Sequence, residues 1–108
     1  MEFIELDSGQ VLIKEVFETY TEEKHYDMKY HTKLRYENSK VKAEVFDYLD
    51  NFIEDFNNDV IFEYEGNQIT VQAINGIAEI DFIADEGLEC TVKTVNEKFR
   101  NGEATFNV

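Results

Sequence analysis

The chain is 108 residues long, 43% hydrophobic and 14% aromatic, with a net charge of −14. That length suits a single domain, 1–108, and the aromatic content separates it from acidic disordered tails, which lack the side chains to fill a core. The charge argues against nucleic acid or anionic membrane as a direct partner, because the field of the whole molecule repels both.

In chain order, residues 3–6 read as a short strand before the Asp7-Ser8-Gly9 turn, and 10–20 are again strand-like. Residues 21–25 read as a polar connection. It leads to the clearest strand signal, 26–37, where Tyr26, Met28, Tyr30, Thr32, Leu34 and Tyr36 alternate with polar or charged residues. Ser39 then stands as an N-cap for a helix over 40–56. Val41, Val45, Tyr48, Leu49, Phe52, Ile53 and Phe56 recur at spacings of three and four, with Glu44, Asp47, Glu54 and Asp55 on the other side. Strands at 60–65 and 68–74 flank a Gly66-Asn67 turn, and Asn75-Gly76 is a strong hairpin signal leading into 77–84. An Asp85-Glu86-Gly87 turn, a strand at 88–95, the pair Asn101-Gly102 and a last strand at 104–108 complete the chain. The expected fold class is α+β, an antiparallel sheet of about six strands with one amphipathic helix packed on it.

Function is written mainly in the charge. Between Ala43 and Val92 there are thirteen carboxylates and no lysine or arginine. A single-sign surface draws in basic partners and raises their association rate. The acids expected to meet such a partner are Glu44, Asp47, Glu54 and Asp55 along the helix, with Glu63 and Glu65 just beyond.

Catalytic candidates are few. Lys29, His31, Lys33 and Arg35 share one face of a strand, which reads as a solvated face able to neutralise neighbouring carboxylates. His25 and His31 have no metal-ligand partners at useful spacing. Cys90 alternates with Leu88 and Val92 and reads as a buried structural thiol in a region with no electropositive group to activate it. Asp85-Glu86-Gly87-Leu88-Glu89 lacks the ligand ladder of a calcium loop. The expectation is a protein that is not an enzyme and needs no metal and no cofactor. A lone cysteine, no signal-peptide layout and no apolar run near the roughly 20 residues of a membrane span point to a cytoplasmic location.

From residue 45 to residue 95 the chain runs VFDYLDNFIEDF, then VIFEYEGNQITVQ, then GIAEIDFIADEGLECTVKTV. That order resembles small acidic bacterial immunity proteins of polymorphic toxin systems, of the wall-associated-toxin type. The resemblance implies an α+β inhibitor that binds and blocks a cognate toxin, often a nuclease. The chain departs from that pattern by ending without a further helix. Phage-encoded DNA-mimic inhibitors of CRISPR or restriction nucleases are similar in size, charge and lack of proline. The two inhibitor readings, and a structural or regulatory module whose acidity only confers solubility, all remain open on the sequence.

Overall fold

The computed structural model describes residues 2–26, 28–82 and 87–107. Within them the chain forms eleven strands in three sheets and no helix. The α+β expectation is therefore corrected: the fold is all-β.

The correction falls on one segment. Strand β4 (Tyr30–Glu37) turns through Asn38 and Ser39 into β5 (Lys40–Asp47). Both turn residues have positive φ, 52° and 61°, the requirement of a two-residue hairpin whose twist matches its strands. Ser39 is thus a turn residue and not a helix cap. Val41, Ala43 and Val45 point inward and are fully buried, alternating with Lys42, Glu44 and Phe46. A four-residue step fits both a helix and a strand, so Val41 and Val45 do not discriminate between them; Ala43, midway, does. After β5 the chain folds back along the same strand. Phe46 bridges Phe52, and the Ile53 N–H donates to the Val45 carbonyl at 3.0 Å.

Two four-stranded sheets make the body. One has the order β10-β4-β5-β8, with β10 (Phe99–Arg100) parallel to β4 and β8 (Ile77–Asp81) antiparallel to β5. The other has the order β11-β9-β6-β7, from β6 (Asp59–Tyr64), β7 (Asn67–Gln72), β9 (Glu89–Thr94) and β11 (Glu103–Asn107). Between them lies the core, with Val41, Ala43, Val45, Ala78 and Ile80 from the first sheet and Val60, Phe62, Cys90 and Val92 from the second. Tyr36 of β4 stacks on Phe106 of β11, ring centroids 4.1 Å apart, and draws the two sheets together at one edge.

Asn75-Gly76 does turn the chain, with φ of 52° and 83°. The strands on either side belong to different sheets, however, joined only by the bridge Ile74↔Ile77. The expected hairpin is a corner between layers. Part of the 77–84 strand and the Asp85-Glu86 turn lie outside the described residues.

The N-terminal segment forms a third sheet, β1-β2-β3, from β1 (Glu2–Glu5), β2 (Val11–Val16) and β3 (Thr21–Tyr26). The segment read as a connection, 21–25, is therefore a strand. The long strand expected over 26–37 is divided between β3 and β4, and Asp27 between them lies outside the described residues. Phe3 and Tyr26 both pack on the Tyr48 ring, at 5.5 and 5.0 Å, and tie the base of this sheet to the body. The molecule measures 63 × 23 × 20 Å, with a radius of gyration of 16.8 Å. A compact chain of this length would have about 13 Å.

Candidate docking surface

Depressions lie on either side of Phe46 on the outer face of the β10-β4-β5-β8 sheet, the second reaching past β8 to β7 of the other sheet. Opposed residues of antiparallel strands share a face, so His31, Lys33 and Arg35 of β4 stand beside Phe46, Glu44 and Lys42 of β5. Ile77 and Glu79 of β8 continue the rows from Glu44 and Lys42.

The first depression, of about 250 Å³, is lined by Met28, His31, Lys33, Tyr48, Asp50 and Arg100. His31 is buried, stacked on Phe46, and its Nε2 lies 2.8 Å from Asp50 Oδ1. Lys33 Nζ reaches both Asp50 oxygens, at 2.9 and 3.1 Å, and lies 4.4 Å above the centre of the Phe46 ring. The hydrogen bond from Lys33, and after it that with His31, holds the Asp50 carboxyl below its usual 3.8. His31 and Lys33 are committed to one carboxylate and one ring. Among the described residues no group of three or more His, Cys, Asp and Glu side chains is placed to hold a metal ion.

The second depression is apolar and acidic. One part, about 640 Å³, is lined by Phe52, Glu54, Asp55, Asn57, Asn75 and Ile77, and an adjoining part of about 300 Å³ by Val71, Gln72, Ile74, Ile77 and Glu79. Its wall is the loop that folds back from β5. Asp47 Oδ1 accepts from the backbone N–H groups of Leu49 and Asn51, both at 2.9 Å, and so shapes the bend. Asn57 pins the far end: its Oδ1 accepts from the Asn75 N–H at 3.0 Å, and its carbonyl accepts from Gln72 Nε2 at 2.9 Å. Gly76 lies under the loop, where a Cβ would come within 2.3 Å of the Ile53 carbonyl oxygen. The groove is thus braced by specific bonds. Ile74 is 69% exposed and Phe52 39%.

The six acids expected at a partner interface separate in space. Glu54 and Asp55 stand together at the groove, and neither has an ion pair among the described residues. Glu44 is next to it, opposite Ile77, but is held by Arg35 at 2.7 Å. Asp47 is spent on the bend. Glu63 lies on the outer face of the other sheet, opposite Gln68 and Lys93, and Glu65 is in the β6–β7 turn with φ of 48°. No single face unites them, because the helix that would have done so is a strand and a loop. Sequence reasoning did not bring Phe52, Ile74 and Ile77 together at these depressions, because it placed them in the helix stripe or in strands. The usable signal was the apolar pair Ile74 and Ile77 flanking Asn75-Gly76. Of the other candidates, His25 is exposed on β3, Lys29 pairs with Glu5 at 3.2 Å, and Cys90 is buried with Val92 while Leu88 is 49% exposed. Among the described residues no helix is long and apolar enough to cross a membrane.

Comparison with known proteins adds no relative: no family model, no curated protein and no solved structure matches this chain.

Proposed function

We propose that this chain is a non-enzymatic acidic inhibitor, which docks on a basic, nucleic-acid-acting protein such as a toxin or a defence nuclease and blocks it. The observation that carries this reading is the groove, where Phe52, Ile74 and Ile77 offer apolar anchors beside the unpaired carboxylates of Glu54 and Asp55. Desolvated anchors supply affinity and the surrounding acid field supplies speed of association. The groove suits a lysine- or arginine-bearing segment whose aliphatic stem covers Phe52 while its charge meets Glu54 or Asp55. The immunity-protein form of this reading drew on a helix over 45–56, so it now rests on charge and groove alone.

The elongated shape favours a second form, occupation of a DNA-binding channel by mimicry. Fourteen net charges over 63 Å is roughly one per 4.5 Å, against one per about 1.7 Å of duplex. The charge is too sparse for a duplex mimic without anchors, which returns the weight to the groove.

The test is affinity capture from the native host with the parent and with Phe52→Ala/Glu54→Gln/Asp55→Asn, followed by assay of any captured nucleic-acid enzyme. Inhibition by the parent that is lost in the triple variant supports the proposal. A captured enzyme that both proteins inhibit equally moves the interface elsewhere, and a captured set with no inhibited enzyme refutes the blocking role.

A further inference from the structure

We infer that the N-terminal sheet is a self-association surface, on which β3 of one copy pairs antiparallel with β3 of a second copy about a two-fold axis at Glu23. β3 is an edge strand whose residues 21–25 are all exposed. The β2–β3 turn fixes which backbone groups face outward. The Phe17 N–H donates to the Tyr20 carbonyl at 2.7 Å, closing a two-residue turn at Glu18-Thr19. Bonding alternates from there, so Glu22, Lys24 and Tyr26 bond to β2, while Thr21, Glu23 and His25 turn their N–H and C=O groups to the open edge. Such an edge is a ready template for another strand.

The side chains select the register. A two-fold axis normal to the sheet keeps each residue on its own face. Centred on Glu23, it opposes Thr21 to His25 of the second copy and Glu22 to Lys24 of the second copy, each twice. Every such register opposes one residue to itself at the axis, but centring on Glu22 or on Lys24 would also lose both Glu22–Lys24 pairs. Within one copy Glu22 already faces Glu15, an unfavourable like-charge pair that Lys24 of the second copy would relieve. The two Glu23 side chains that meet at the axis are each backed by Lys14 across the β2–β3 ladder. The same register carries Tyr20 onto Tyr26 of the second copy. Tyr20 is 58% exposed and stacked on Phe17 at the tip, while Tyr26 belongs to the Tyr48 cluster at the base. Each exposed aromatic tip would then cover the aromatic base of the other sheet.

Long-range charge opposes this contact, since each copy carries −14. Salt screens that repulsion, shortening the Debye length from about 10 Å at 0.1 M to about 3 Å at 1 M. Self-association should therefore strengthen with salt, whereas docking on a basic partner weakens, and the two readings stand or fall separately. Sedimentation equilibrium of the purified protein, under reducing conditions, should show a mass rising from 12.7 kDa toward twice that value, more readily at about 0.5 M than at about 0.05 M salt. Lys24→Glu should weaken the dimer by about tenfold. The swap Glu22→Lys/Lys24→Glu, which keeps the net charge at −14, should restore it. A monomer at every concentration and salt overturns the inference. So does a dimer indifferent to Lys24→Glu, or one that the single change and the swap weaken alike.

Discussion

The hydroxyls of Thr32 and Thr94, one from each sheet of the body, meet in the core at 2.7 Å. Their neighbours settle the direction of the bond. Thr94 donates its proton to Asn101 Oδ1 at 2.9 Å, so Thr32 must donate to Thr94. Thr32 Oγ1 in turn accepts from the Gly102 N–H at 2.8 Å. One directed chain, from Gly102 through Thr32 and Thr94 to Asn101, clamps the two sheets.

Thr32→Val should cost about 1–3 kcal/mol, because it leaves the half-buried Gly102 N–H without its acceptor. Thr94→Val should cost a similar amount, because it leaves the buried Thr32 hydroxyl without its acceptor, although Asn101 Oδ1 keeps the Asn96 N–H at 2.9 Å. The double variant should fall short of the sum, since both changes break the same bond. Urea unfolding of the three variants measures this; strict additivity would disprove the shared chain.

Phe62→Ala and Phe52→Ala separate the all-β fold from the α+β expectation. Phe62 is 1% exposed and should cost about 3–5 kcal/mol on truncation. Phe52, at 39% exposed, should cost well under half of that, although a helix packed on a sheet would have buried it. Comparable losses in thermal unfolding would return Phe52 to the core.

Gly76→Ala and Gly66→Ala start from nearly the same backbone, φ of 83° and 81°. Gly66 has open space around it, so alanine there should cost about 1 kcal/mol of left-handed strain. At Gly76 the methyl meets the Ile53 carbonyl and the Phe52 ring, so the loss should be greater and the groove should widen. Denaturation midpoints, with quenching of surface aromatics as a second readout, check both.

Asp50 links stability to acid. Its folded pKa lies below the ordinary 3.8, so its contribution is present in full above that value and is lost as pH falls through the folded value. Asp50→Asn should therefore be less stable than the parent at neutral pH, and the gap should close only in the range below 3.8. A difference that stays constant down to pH ~2 would show that the Lys33 and His31 contacts do not depend on the charge of Asp50.

Alternation in β4, the turn chemistry of Asn75-Gly76, the core placement of Cys90 and the acid excess at the centre of the chain were legible from sequence alone. Each is a local property: a period of two, a pair of residues tolerant of positive φ, a count of charges. Three matters needed the tertiary structure. Whether Val41 and Val45 belong to a helix or a strand was undecided by their spacing, and the ladders that β5 makes with β4 and β8 settled it. Whether Asn75-Gly76 closes a hairpin or turns a corner depended on which sheet each flank joined, a choice made by core packing between the layers. Which acids stand free was decided by distant pairing: Arg35 takes Glu44, Lys33 takes Asp50, and Glu54 and Asp55 remain open. Charge composition follows from the chain itself, but the charge a partner meets depends on which side chains the fold brings within a few ångströms of one another.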